Sequence, residues 1–157
     1  MTAVAYQVRD ARITDAERIT ALLDAEPSLG EAQHRAIQGA ADLLRQMVYL
    51  PHAAVLVAEA YRVIVGAAVL ALRPSVVGGG LIGTIDLLVV GPEAEATGVR
   101  DALVAAALRS ARNKGCVAVE APQLLEPGDR AIWERYGFGE AAPRMMQELA
   151  PARAPRT

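Results

Sequence analysis

Between Ile85 and Leu103 the chain reads IDLLVVGPEAEATGVRDAL. An apolar run stops at Gly91-Pro92, a short loop follows, and a helix opens at Thr97-Gly98. Gly and Pro punctuate secondary structure, so the strand must end and the helix must begin within this stretch. A helix start exposes backbone N–H groups with no partner inside the helix, together with a partial positive charge. A strand that feeds such an end through a tight loop builds an anion site. The stretch therefore demands a layered α/β arrangement with a strand and a helix packed side by side.

The rest of the chain supplies the partners for that unit. Tyr6-Gln7-Val8-Arg9 alternates as a strand does. Thr14-Asp15-Ala16-Glu17 has the spacing of a capping box, and Ile19, Leu22 and Leu23 mark one face of a helix ending near Pro27. Ser28 and Glu31 repeat the capping spacing ahead of a second helix, with Ile37, Ala40, Ala41, Leu44 and Val48 at helical period up to Pro51. Ala54 to Glu59 and Val63 to Leu72 form a strand pair around Tyr61-Arg62, a poor turn sequence, and Pro74 closes the second strand. Gly78-Gly79-Gly80 turns the chain into a third strand, Leu81 to Val90. These strands read as buried on both faces, or nearly so.

A helix follows from about Thr97 to Lys114, with Gly115 suited to its C-terminal cap. Val117-Ala118-Val119 is a short strand, Gly128 to Arg135 a short helix stopped by Gly137, and Arg144 to Leu149 a final strand. The predicted order is β-α-α-β-β-β-α-β-α-β, a mixed sheet with helices on its faces. Residues 1–150 are expected to form a single domain, and the Pro- and Arg-containing tail 151–157 to be disordered.

Composition narrows the function classes. With 157 residues, 53% of them hydrophobic and 22% charged, the chain buries enough surface to fold as a globular domain. A net charge of −2 without a dense Lys/Arg stripe gives no basis for nucleic-acid binding. The single Cys116 excludes an internal disulfide and a multi-cysteine metal site. Residues 1–10 lack the apolar segment of a secretory signal, and no run of 18 apolar residues occurs. A cytoplasmic protein without a membrane partner is the expectation.

The order of elements, Val90-Gly91-Pro92-Glu93, the turn before the long helix, and the segment from Ala131 to Phe138 together resemble the GCN5-related N-acetyltransferase superfamily. The resemblance covers residues 6 to 149 and implies a mixed, mostly antiparallel α/β sheet with helices on both faces. It also implies acetyl-coenzyme A (acetyl-CoA) as acyl donor, lying where the fourth and fifth strands splay apart. By that resemblance Leu88, Val89 and Val90 run beside its pantetheine arm, and Glu95, Ala96, Thr97, Gly98, Val99 and Arg100 surround its pyrophosphate. Backbone N–H groups on the splayed strand polarise the thioester carbonyl. The acceptor is a primary amine, on a small molecule or on a protein, and a homodimer is the base-rate assembly.

Four positions depart from the family pattern. Glu95 stands where Arg or Gln is usual and is a like charge to the phosphates, repelling by about 1 kcal/mol near 4 Å in water. Gly98 keeps the central glycine, but Arg100 replaces a small residue; it either obstructs the phosphates or pairs with one. Glu126 stands at an Asn position and Trp133 at the Tyr that protonates the leaving thiolate in many relatives. Trp has an N–H donor only and is no acid at neutral pH. Tyr136, one helical turn on, is an alternative acid, with packing beside Phe138 its better-supported role. These departures motivate a second class of function, a protein of this fold that has lost acyl transfer and acts as a binding or regulatory subunit.

Asp86 is a carboxylate inside an apolar strand, where burial is costly unless it is paired. Its position resembles that of the family's general base, and an attacking amine must lose a proton. The structural alternative is a carboxylate paired with Arg or facing solvent. Glu59 reads as a solvated charge at a strand end, His34 and His52 as surface residues, Cys116 as a small buried hydrophobe, and Met145-Met146 as packing. Two histidines without a cysteine or carboxylate pattern indicate no metal site.

Overall fold

The structure is a computed structural model that describes residues 6–26, 31, 39–121, 127–141, 147 and 149. In chain order it contains β1 (Gln7–Asp10), a 3-10 turn (Ile13–Asp15), α1 (Ala16–Asp24), α2 (Ala40–Met47), β2 (Ala53–Ala60), β3 (Val63–Ser75) and β4 (Gly80–Val90). A second 3-10 turn (Pro92–Thr97), α3 (Val99–Asn113), β5 (Ala118–Glu120) and α4 (Pro127–Arg135) follow. The strands form one sheet in the order β1-β2-β3-β4-β5. Every pairing is antiparallel except β4 with β5, which is parallel.

Alternating side chains send two sets of apolar residues to opposite faces of the sheet. On one face Leu56, Ala58, Ala68, Leu70 and Ile85 pack with Val99, Leu103 and Ala107 of α3 and Trp133 of α4. On the other, Val55, Val57, Ala67, Val69 and Val89 pack with Ile19 and Leu23 of α1 and Leu44 of α2. Burial on both sides explains why β2 and β3 read as nearly continuous apolar runs. Gly66 lets α3 lie close, because a Cβ there would come within 3.0 Å of Leu103 Cδ1 and Val99 Cγ1.

The β2–β3 hairpin forms despite its turn residues. Tyr61 and Arg62 both take positive φ, 50° and 66°, as a two-residue turn matched to strand twist requires. Each costs about 1–2 kcal/mol in a non-glycine residue, a cost offset by the buried strands on either side. Pro74 does not end β3, which continues to Ser75. Leu72 N donates to His52 O, so alternate residues, Pro74 included, face the β2 side. The β2 ladder ends at Ala71, and the missing N–H of Pro74 breaks no ladder bond.

The first helix starts differently from its capping-box reading. Thr14 lies inside the 3-10 turn, exposed, and Asp15 Oδ2 accepts from Arg12 N at 2.7 Å. Asp15 is buried and is gripped by Arg9, whose Nη1 donates to Asp15 Oδ2 at 2.8 Å and whose Nε donates to Glu59 Oε2 at 2.8 Å. Glu59 is thus a half-buried ion-pair partner rather than a solvated strand end. Gly115 and Gly137 end α3 and α4 with φ of 85° and 84°, as their sequence positions suggested. Ser28, His34, Ile37, Glu126, Met145 and Met146, and most of the strand expected over 144–149, lie outside the described residues.

Candidate acyl-donor site

The loop after β4 is fixed by backbone bonds. Gly91 N donates to Val65 O of β3 at 2.8 Å, and Ala94 N to Gly91 O at 3.0 Å. Pro92 opens the 3-10 turn, where its missing N–H costs nothing. Gly98 then takes φ 81°, and its carbonyl accepts from Ala102 N at 3.0 Å, which makes it the N-cap of α3. The N-cap is a glycine and has no side chain with which to cap the helix. A helix start with a glycine N-cap directs its first amides toward the loop, which suits the start of α3 to negative charge. Helix α3 begins at Val99, two residues later than its sequence reading, because Pro92–Thr97 closes as a 3-10 turn first.

Among the described residues the neighbouring edge of β4 is open beyond Thr84. Its ladder with β5 covers only Ile82–Thr84 among the described residues. Gly91 points its amide at β3, so by strand alternation Val90 and Leu88 present their N–H and C=O groups to the side that β5 has left. Between Val69 and Leu70 the β3–β4 register shifts: Val69 faces Leu87 and Leu70 faces Ile85. Asp86 is the extra residue of this bulge and is exposed. A bulge re-aims a side chain and is common beside active sites. The burial problem posed by a carboxylate in an apolar strand is resolved by that local geometry.

A polar clamp stands where the two strands part. Thr84 Oγ1 donates to Glu120 Oε1 at 2.7 Å, and Arg73 Nη2 donates to the same oxygen at 3.1 Å. It ties β3, β4 and β5 together two residues before Asp86. Sequence reasoning passed over Glu120; its only signal was a carboxylate at the end of a short strand.

Beyond the gap, α4 brings Trp133 into the cluster that contains Ile85, Val90, Val99 and Leu103, with Val119 and Ala121 packed against it. The indole meets Phe138 edge to face, with centroids 5.2 Å apart. Its Nε1 is buried and has no hydrogen-bond partner. Tyr136 is engaged elsewhere: its hydroxyl donates to Asp101 O at 3.0 Å in the first turn of α3. Burial, with the charge of Asp101, raises the Tyr136 pKa above the ordinary phenol value. Arg135 also reaches Asp101, at 3.2 Å, so the last residue of α4 and the one after it hold the helix against the start of α3.

Residues 17–138 match the family model described as Acetyltransferase (GNAT) family. The chain belongs to this family. Among solved structures, a transcriptional regulator from Bacillus halodurans C-125 aligns over 92% of this chain and 100% of its own, at 19% identity and a TM-score of 0.78. A ribosomal-protein-alanine N-acetyltransferase from Brucella melitensis biovar Abortus 2308 aligns over 92% and 100%, at 17% identity and 0.70. Aminoglycoside N-acetyltransferase AAC(6')-Iy, in complex with CoA, aligns over 92% and 95%, at 22% identity and 0.71. At these identities the likeness is one of fold. No curated protein sequence matches this GNAT chain.

The GNAT fold brings most of the expected residues to one edge. Val89 and Val90 are buried and Leu88 half-buried along β4; Glu95, Ala96 and Thr97 lie in the 3-10 turn; Gly98, Val99 and Arg100 form the start of α3. Val99 points into the core and offers its backbone only. Arg100 is half-buried and already engaged within the chain. Cys116 is half-buried, burial raises its thiol pKa, and it borders a cavity of about 320 Å³ formed with Leu108, Ala111 and Arg112. On α3 its lining residues begin at Leu108, ten residues from Gly98 or about 15 Å by helical rise. Among the described residues no helix is long and apolar enough to cross a membrane, and no group of three or more His, Cys, Asp or Glu is placed to hold a metal.

Proposed function

We propose that this protein transfers the acetyl group of acetyl-CoA to a primary amine. One observation carries the proposal: the β4 edge at Leu88 and Val90, unladdered among the described residues, leads directly into the helix start behind Gly98. A pantetheine arm carries amide groups that can pair with such an edge, and a pyrophosphate suits such a helix start. Gly98 has no Cβ to hold the phosphates away, and the nearest atom to one built there is Tyr6 Oη at 3.6 Å. The residues present thus fit the donor.

Acetyl-CoA supplies an activated thioester carbonyl. Outward-facing N–H groups of β4 donate to that carbonyl oxygen and stabilise the charge that gathers there on attack. Asp86, exposed at the bulge, takes the proton from the incoming amine directly or through one water. The Thr84–Glu120–Arg73 clamp holds β4 and β5 together at the last paired position and so fixes where the gap begins. The acceptor is a small amine or a protein amine. The Brucella and AAC(6')-Iy structures carry names of one each, a ribosomal-protein alanine and an aminoglycoside. Release of free CoA thiol from acetyl-CoA in the presence of amine panels tests the proposal. Amine-dependent release supports it, and no release with any amine class overturns it.

A further inference from the structure

We propose that Arg73 reads the acceptor, and that the acceptor is a small amino acid, a primary amine with a carboxylate a few bonds away. The proposal rests on the acetyl-CoA reading above and narrows its amine class. The residues concerned share one face of the sheet. Ala67 and Val69 of β3 pack with α1 and α2, so by alternation Arg73 points to that face. Ile85 packs on the α3 face, so Thr84 points away from it, and Glu120 pairs in register with Thr84. Asp86 follows Ile85 on to the α1 face, where Leu87 also packs, two successive side chains on one side as a bulge allows. Arg73, Thr84, Asp86 and Glu120 thus line the start of the gap on the side away from α3.

The guanidinium is held in place. Glu120 Oε1 accepts from Arg73 Nη2 at 3.1 Å and from Thr84 Oγ1 at 2.7 Å, so guanidinium and hydroxyl flank one oxygen. A guanidinium carries five N–H donors. The bond to Glu120 takes one, and the Arg73 side chain remains 45% exposed. The tether fixes a planar fork whose freedom is lost on folding rather than on binding, and such a fork matches a carboxylate in two parallel bonds. Asp86, also exposed, stands roughly 7 Å along β4 from Thr84 on the same face. An ammonium beside Asp86 and a carboxylate against Arg73 are therefore the two ends of one short zwitterion. The ammonium gives one proton to Asp86 and so to solvent. The nitrogen forms the C–N bond, the C–S bond breaks with its electron pair on sulfur, and the second nitrogen proton reaches the thiolate through solvent. The products are the N-acetyl acid, CoA thiol and one proton. A simple alkylamine offers Arg73 nothing, and a protein N-terminus presents a peptide bond in that place.

Three acceptor pairs test this on the whole protein: glycine against glycinamide, β-alanine against its amide, and γ-aminobutyrate against its amide. Acetyl-CoA is the donor, and kcat/KM is referred to the free-amine concentration. In the pair of fitting length the acid is expected to exceed the amide about ten- to a hundred-fold. In Arg73→Gln that ratio is expected to fall to about one through the KM for the acid, while Arg73→Lys keeps part of it. A ratio taken within one variant cancels any loss of donor binding or gap shape, since both members of a pair use the same donor. Binding is read apart from turnover: the favoured acid should raise the melting midpoint of the CoA-saturated wild type and leave that of Arg73→Gln in place. Amides equal to or better than acids in all three pairs overturn the proposal, as does an acid preference that survives in Arg73→Gln. No acetylation in any pair, while acetyl-CoA raises the melting midpoint, also overturns it and leaves donor binding standing. No melting shift with acetyl-CoA overturns both. If Arg73→Gln fails to fold, Arg73→Lys and the wild-type pairs decide.

Discussion

Asp86 owes its position to one irregularity, the register shift that leaves it unpaired and exposed between Ile85 and Leu87. If it takes the amine proton, Asp86→Asn lowers kcat about 10²- to 10⁴-fold and leaves acetyl-CoA affinity unchanged; steady-state kinetics beside a binding titration checks both. Gly98 is required by conformation rather than by space. Its φ of 81° is strained for any other residue, although a Cβ there would make only ordinary contact. Gly98→Ala is therefore expected to cost about 1–2 kcal/mol of stability in urea unfolding. Gly139→Ala, in open space at an ordinary φ, costs nothing or stabilises slightly. At this scale the sequence was uneven as a guide. Gly98 and Asp86 stood out because each broke a local pattern. Glu120 did not, since its partners Thr84 and Arg73 come from strands far off in the chain.

Helix and strand ends were legible where Gly or Pro punctuates them, as at Gly91, Gly115 and Gly137. They were misread where a long-range contact decides. Thr14-x-x-Glu17 has the spacing of a capping box, yet Asp15 is drawn inward by Arg9 from β1, and the chain tightens into a 3-10 turn instead. That ion pair joins β1, the start of α1 and, through Glu59, β2. Arg9→Met leaves a buried carboxylate uncompensated and is expected to cost about 3–5 kcal/mol, measured by chemical unfolding. The hydrogen bond from Arg9 holds the Asp15 pKa below its ordinary value. A carboxylate depressed in the folded state stabilises fully above its unfolded pKa, about 3.9, and loses that contribution as pH falls through the folded value. Unfolding free energy should therefore drop on acidification below about pH 4, and Arg9→Met should flatten that part of the profile.

For the whole molecule, the element order was enough to anticipate a mixed sheet with helices on its faces, because each helix stripe and buried strand needs the other to cover it, whereas its mostly antiparallel pairing was implied by the family resemblance. The gap between β4 and β5 was expected through the family resemblance alone. A three-residue ladder depends on where β5 ends and α4 returns, which no local pattern encodes. The sequence also leaves Trp133 as a departure from pattern, whereas the fold shows its N–H buried and without an acceptor. The central claim is that this edge and helix start bind acetyl-CoA. A titration of acetyl-CoA followed by thermal unfolding measures it directly. At about 100 times the dissociation constant, binding adds roughly 2.7 kcal/mol, and the midpoint should rise by several degrees. A midpoint that stays in place at millimolar acetyl-CoA would contradict the claim.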